Sequence, residues 1–331
     1  MSWQLFKATL GLALLLLLVV CVGVLAHHLL LRAPYGRLAG PTDPPPVEKP
    51  TSKRASQVRA SQVRATHVTA SHAASKKPVR YKVPPYEIFD PDTPATSPPK
   101  PATPPSGGQQ PLVAIIVDDL GYDLKLARRY LEMEGPLTFS MLPQGPFTAE
   151  IVAEAHARGH EIMLHLPMEP MEYPQISPGP GALLAEMPPD QLLAQLDTDL
   201  AAIPYVKGVN NHMGSRLSAQ APQMRQIFSR LKARGLYYVD SRTTKETVGR
   251  PSAERLRLPF AERDIFIDHY QDADFIRKQL RLLVKRAYAQ GYAIGIAHPH
   301  PLTIELMRDA LPQLKDQVTL VPASRVVQEA G

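Results

Sequence analysis

From Leu112 onward, short apolar runs alternate with segments whose apolar residues recur at helical spacing. The runs predict strands over 112–117, 137–141, 161–165, 205–209, 236–240, 264–268, 292–297 and 317–321. Between them the pattern predicts helices near 123–134, 148–158, 189–202, 220–234, 272–290 and 302–314. Thr148 and Asp190 read as helix caps, and Gly159, Gly235 and Gly291 stand where three helices must stop before the next strand. The first run, Val113 to Val117, is apolar on both faces, as a buried strand of a parallel sheet must be. Strand followed by helix, repeated over about 220 residues, predicts an α/β fold: a distorted (β/α) barrel of seven or eight strands.

The pattern before Leu112 is different. Ala8 to Ala26 is almost purely apolar, flanked by Lys7 and Arg32, and is long enough to cross a hydrocarbon core. It is read as a membrane anchor with its N-terminus in the cytoplasm. Val24-Leu25-Ala26 also fits a signal-peptidase site, so a cleaved leader stays open. Pro34 to Gln110 holds 16 of the 35 prolines and few large apolar residues, a composition that cannot offset chain entropy by burial. The expected organisation is therefore a membrane anchor or signal segment at 1–33, a disordered linker at 34–110 and the barrel at 111–331. Tyr86-Glu-Ile-Phe89 is the one apolar patch in the linker, with the composition to dock on the folded part.

Charge sharpens this division. The net charge is +6, but residues 1–110 carry 13 Lys/Arg against 5 Asp/Glu, while residues 111–331 carry 24 against 26. The folded part is not a basic surface for nucleic acid, and no nucleic-acid partner is expected. Cys21 is the only cysteine, which excludes a disulfide framework and a cysteine metal site.

Chemistry-bearing residues gather where the strand candidates finish. Asp118 and Asp119 end the first, His165 the third, Asn210-Asn211-His212 the fourth, Asp240-Ser241-Arg242 the fifth, Asp268-His269 the sixth, and His298 and His300 the seventh. In a β/α barrel these ends converge on one face. Two neighbouring carboxylates repel if both are buried and ionised, and a cation or a shared proton relieves them. Side chains alternate along a strand, so Asp118 and Asp119 are expected to leave it in different directions and take different jobs. Carboxylate plus imidazole suits zinc or another first-row divalent ion, with a nearby carboxylate to take a proton from water and a histidine to hand one to a leaving group. The kit is that of metal-assisted hydrolysis. His165, His212 and His298 each close an apolar strand and read as functional; His156, His160 and His269 read as structural.

The motifs VAIIVDDLGYD at 113–123, LTFSMLP at 137–143, GHEIMLHLPMEP at 159–170, GVNNHMGSRL at 208–217, YYVDSRTT at 237–244, FIDH at 266–269 and GIAHPHP at 295–301 together resemble the divergent polysaccharide deacetylase family. The resemblance spans roughly Leu112 to Val321. It implies a polysaccharide-deacetylase-like barrel that removes acetyl groups from N-acetylated sugars, with Asp118 as base and Asp119 as a metal ligand. The wider superfamily carries two metal-binding histidines four apart, followed by proline. Here the matching positions are His165 and Glu169, followed by Pro170. Glu169 is a possible replacement ligand, and His212 is the candidate for the missing imidazole. His298 matches the histidine that serves as acid. The arginine of the superfamily's third motif is not visible, and Arg242 is the candidate for its charge; Asn211 and Arg242 are the expected grip on sugar hydroxyls or the carbonyl.

The expectation is a metal-dependent deacetylase, its cofactor a divalent metal such as zinc and its partner a polysaccharide or peptidoglycan-type glycan. It is tethered to the inner membrane by one N-terminal helix, with the barrel in the periplasm, or released there if the segment is cleaved. The rival is a non-catalytic envelope module that keeps the fold and binds glycan or a protein partner. The long loop from Leu166 to Pro188 is expected to form a lid, a groove wall or an ordered surface loop.

Overall fold

The computed structural model describes the backbone from Gln110 to Ala330 and side chains as far as Val327. The apolar segment, the linker and the Tyr86–Phe89 patch lie outside the described residues. Among the described residues no helix is long and apolar enough to cross a membrane.

The strands are β1 (Leu112–Leu120), β2 (Thr138–Met141), β3 (Glu161–Met168), β4 (Gly208–Met213), β5 (Tyr237–Asp240), β6 (Phe260–Glu262), β7 (Ile265–Phe266), β8 (Tyr292–Ala297) and β9 (Thr319–Leu320). The helices are α1 (Leu124–Leu131), α2 (Thr148–Ala157), α3 (Pro189–Ala202), α4 (Ala221–Ala233), α5 (Gly249–Leu256), α6 (Ala273–Gln290), α7 (Pro301–Lys315) and α8 (Ala323–Ala330). Every ladder is parallel, in the order β6-β5-β4-β3-β2-β1-β8-β7, with β9 pairing beside β1. The architecture is a parallel α/β half-barrel with helices outside.

The two ends of this sheet are consecutive in sequence. Arg263 N–H donates to Asp240 O of β5 at 2.9 Å, and the next residue, Asp264, donates to Ile294 O of β8 at 2.9 Å. Successive amides of an extended chain point to opposite sides, so one segment serves both edges. The sheet therefore curls until its rims face each other across residues 263 and 264.

Period-two alternation sorts the side chains. Ala114, Ile116, Met163, Val239, Ile294 and Ile296 fill the concave interior, while Val113, Ile115, Val117, Leu164, Val209 and Tyr238 pack under the helices. Ala323, Val326 and Val327 of α8 join the interior group. The start of α8 is held at the opening residues of β2 and β3, where Ala323 N–H donates to Thr138 Oγ1 at 2.9 Å and Ser324 N–H to Glu161 Oε1 at 3.0 Å. The C-terminal helix thus plugs the end of the interior opposite the strand C-termini.

Several boundaries differ from the sequence reading. β4 runs through Met213 rather than stopping at 209, because Asn210, Asn211 and His212 are strand residues whose polarity reflects their site and not a loop. β3 continues to Met168. α5, α8 and β6 are additional elements; Gly249 and Pro251 disguise α5, and β6 spans too few residues to show a period. Thr148 is not a cap: Phe147 holds that position and the Thr148 hydroxyl donates to Leu142 O at 2.7 Å. Asp190 is the second residue of α3, in its first turn, and the cap position is Pro188. The loop after β3 is pinned at its base, with Leu183 N–H donating to Pro167 O and Glu169 N–H to Leu183 O, both at 2.9 Å.

Candidate metal centre

The interior parity that carries apolar side chains deep in the sheet carries polar ones at its C-terminal rim. Ala114 and Ile116 lead to Asp118, Met163 to His165, Gly208 to Asn210 and His212, Val239 to Ser241, and Ile294 and Ile296 to His298. Asp119 has the opposite parity and reaches the site by another route. The β1–β2 register slips between Val117 and Leu120, and Asp119 sits at φ 56°, a left-handed backbone uncommon outside glycine. The irregularity turns both carboxylates to one site, so the expected divergence of Asp118 and Asp119 is replaced by convergence. Gly121 completes the turn at φ 128°.

Asp119 Oδ1 lies 3.2 Å from His165 Nε2 and 2.9 Å from His212 Nδ1, and the two ring nitrogens are 3.1 Å apart. Four-coordinate zinc with bonds of about 2.0–2.1 Å separates its ligand atoms by about 3.3 Å, so the three atoms are spaced as one ion requires. All three residues are buried, and among the described residues the other ring nitrogen of His212 has no hydrogen-bond partner. Burial alone would raise the Asp119 carboxyl, but His212 and His165 hold it well below the usual carboxylate range. The donor set, two imidazoles and one carboxylate, fits zinc or a similar divalent ion.

Asp118 lies beside this cluster, its Oδ2 3.7 Å from His165 Nδ1. Burial pushes its carboxyl up, against the opposing pull of His165, His298 and Asn210. Asn210 Nδ2 donates to both Asp118 oxygens at 2.9 Å, while Asn210 Oδ1 accepts from Ser140 Oγ at 2.5 Å and lies 3.1 Å from His165 Nδ1. On the far side, His298 Nδ1 lies 2.8 Å from Asp268 Oδ1, its ring stacks on Phe266, and its carbonyl accepts from the buried Tyr130 hydroxyl at 3.0 Å. Burial would lower this imidazole, but Asp268, with Asp119 and Asp118, pushes it up to about 9.

Three expected site residues stand elsewhere. Glu169 is buried, but its Oε1 pairs with Arg216 at 2.9 Å and its Oε2 accepts from Ala185 N–H, so it ties the loop after β3 to the segment after β4 instead of joining the ligands. Asn211 faces away from the interior; its Oδ1 accepts from Tyr238 Oη at 3.0 Å and Ser241 N–H at 2.9 Å, and its Nδ2 donates to Met213 O at 2.7 Å. Arg242 pairs with Glu262 at 3.0 Å, and Arg250 takes the other oxygen of Glu262 at 2.8 Å. Both side chains thus make structural contacts outside the ligand cluster. His156 stacks on Tyr205 and His160 packs near Phe139, both away from the centre, and His269 packs edge-on to Tyr270.

The sequence reading placed Asn210 and Asp268 at strand ends without giving either a role, and it passed over Ser140 and Arg263. Asn210 shares the parity of His212, a signal sufficient to have placed it inside. Arg263 follows strands too short to read. It is half-buried, with Nε donating to Ser241 O at 2.7 Å and Nη2 to Arg242 O at 3.1 Å. Burial lowers its guanidinium to about 10, partly offset by Asp240, Asp264 and Asp118. Its guanidinium thus braces the turn after β5 at the seam of the sheet.

The model of the family described as divergent polysaccharide deacetylase matches residues 115–327, which spans the curved sheet and every residue of the centre. The chain belongs to that family. Its relatives include the uncharacterized protein YibQ of Escherichia coli K12, 31% identical over 217 residues that make up 66% of this chain and 67% of YibQ. An uncharacterized protein of Haemophilus influenzae Rd is 29% identical over 212 residues, 64% of this chain and 75% of its own. Among solved structures, an uncharacterized protein of Agrobacterium tumefaciens C58 superposes with a TM-score of 0.64 at 26% identity, covering 68% of this chain and 92% of that one. The family match thus runs through the half-barrel, from Ile115 to Val327.

Proposed function

We propose that the protein is a metal-dependent deacetylase of N-acetylated envelope or exported polysaccharide, with zinc as the metal. The observation that carries this reading is the convergence of Asp119 Oδ1, His165 Nε2 and His212 Nδ1 within 3.2 Å of one another, from strands far apart in sequence. When bound there, a divalent metal supplies Lewis acidity toward the acetyl carbonyl and acidifies a water. Asp118, held by Asn210, takes the proton of the attacking water. His298 holds a proton on its ring and delivers it to the departing amine, while Asp268 keeps the ring oriented. Burial of every one of these groups strengthens their mutual electrostatics.

The apolar segment at 8–26 supports a place for the catalytic half-barrel outside the cytoplasm, tethered to the inner membrane or released into the periplasm after cleavage. A glycan of the envelope is the substrate such a place offers. A second reading is a non-catalytic module that binds glycan or a protein partner. It is favoured by Glu169, which stands at the position of the second histidine and pairs with Arg216 instead of joining the ligand cluster.

Zinc content of the purified protein, followed by acetate release from N-acetylated oligosaccharides, separates the two. The deacetylase reading expects bound zinc and acetate release that the Asp118→Asn variant loses. Absence of both supports the binding module.

A further inference from the structure

Asn210 is fully buried, on the interior face of β4 between Gly208 and His212. Its amide faces two functional groups at once. The Nδ2 group donates to both oxygens of Asp118 at 2.9 Å and lies 3.3 Å from Ser241 Oγ. The Oδ1 atom accepts from Ser140 Oγ and faces His165 Nδ1 at 3.1 Å. A flipped amide would turn its oxygen onto the Asp118 carboxylate and its N–H groups onto the Ser140 hydroxyl, so the neighbours fix which end points where. An amide oxygen only accepts, so the ring nitrogen opposite it must carry the proton. With the proton on Nδ1, His165 Nε2 keeps a lone pair. That lone pair faces Asp119 Oδ1 at 3.2 Å and His212 Nδ1 at 3.1 Å.

We propose that Asn210 is the positioning residue of this centre: one amide holds the Asp118 carboxylate in place with its N–H group and, with its carbonyl, fixes His165 in the tautomer whose Nε2 can bind a metal. This rests on the metal-dependent reading above and adds to it the coupling of base and ligand through a single side chain. Outer partners of ligating histidines set ring orientation and basicity, and their loss weakens metal binding by about 10- to 100-fold.

The two ends of the amide are separable by substitution. Asn210→Ala removes both. Asn210→Asp is isosteric, keeps an acceptor toward His165, and replaces the donor toward Asp118 with a second carboxylate. The test uses full-length protein with 15N-labelled histidine, the His165 signals being identified by their loss in His165→Gln. In metal-free protein at alkaline pH, nitrogen shifts are expected to show His165 protonated on Nδ1, in the wild type and in Asn210→Asp but not in Asn210→Ala. Zinc affinity, measured by chelator competition, is expected to fall about 10- to 100-fold in Asn210→Ala and to stay near wild type in Asn210→Asp. Acetate release is expected to lose about 100-fold in kcat in both variants with KM little changed.

A His165 tautomer unaltered in Asn210→Ala, or equal zinc loss in the two variants, overturns the assignment. Thermal unfolding of each variant identifies one that has simply failed to fold, and Asn210→Leu then replaces Asn210→Ala, since it fills the same volume and offers His165 no acceptor; an unchanged tautomer there also overturns the proposal. If the wild type releases no acetate, the deacetylase reading falls, while the tautomer and zinc measurements still decide the role of Asn210.

Discussion

His298 Nδ1 lies 2.8 Å from Asp268 Oδ1, and the His298 backbone N–H donates to the other oxygen of the same carboxylate at 2.7 Å. Thr303 Oγ1 adds a third bond to Asp268 at 3.0 Å, so this carboxylate cannot turn away from the ring. The histidine is fixed in position and its proton is held electrostatically.

That pairing predicts an alkaline limit to activity. The His298 value is about 9 in the folded protein, above the usual 6.5. An acid must be protonated to act, so kcat/KM is expected to hold through neutral pH and fall as pH passes about 9. Asp268→Asn removes the charge and leaves burial, which lowers the imidazole; the alkaline limb should move down by at least about one pH unit. The stability contribution has the same sign: present in full below the unfolded value and lost as pH rises through the folded one. A pH–rate profile of the two proteins checks the shift, and an unmoved limb refutes the assignment of His298 as acid.

Glu169 and His212 should part company in a zinc assay. His212→Gln is expected to lose bound zinc, because it removes one of three converging ligand atoms. Glu169→Gln is expected to keep zinc but to unfold at a lower temperature, because it weakens a buried pair with Arg216. Metal analysis with thermal denaturation separates them; loss of zinc in Glu169→Gln would restore it to the ligand set.

Asp199 stores a pH-dependent cost away from the centre. Burial raises its carboxyl to about 7, against bonds from Gln195 and Gln144, and among the described residues its Oδ2 has no hydrogen-bond partner. The folded state therefore holds the proton that the unfolded state gives up near pH 4, so stability falls as pH rises from about 4 to about 7. Asn in its place needs no proton. Asp199→Asn is expected to gain about 1–3 kcal/mol at pH 8 relative to pH 4, measured by denaturant unfolding at both values.

Gly121 follows the paired carboxylates at φ 128°, and a methyl group there would overlap the Thr148 hydroxyl and crowd Leu142 O at 3.3 Å. Gly121→Ala is expected to cost about 2–3 kcal/mol and to displace Asp119, lowering zinc affinity with stability. Calorimetry and zinc titration on one sample check that the two losses travel together.

The residue pattern alone determined the α/β class, the parallel strands and the rim at which Asp118, Asp119, His165, His212 and His298 lie, because alternation and apolar runs are local properties of the chain. It did not decide which neighbouring polar residue turns inward. Asn210 and Asn211 are chemically identical, and strand parity sends one to Asp118 and the other to Tyr238. The fate of Glu169 depended on where Arg216 and Ala185 come to rest after distant turns. Arg263, which the sequence reading passed over, lies on a segment too short to show any period, at the point where the sheet meets itself. Asp119 reached its histidines only through a backbone irregularity that alternation cannot express. Local pattern is written residue by residue, whereas partners are chosen by closure of the sheet, and that closure brings together groups the sequence keeps far apart.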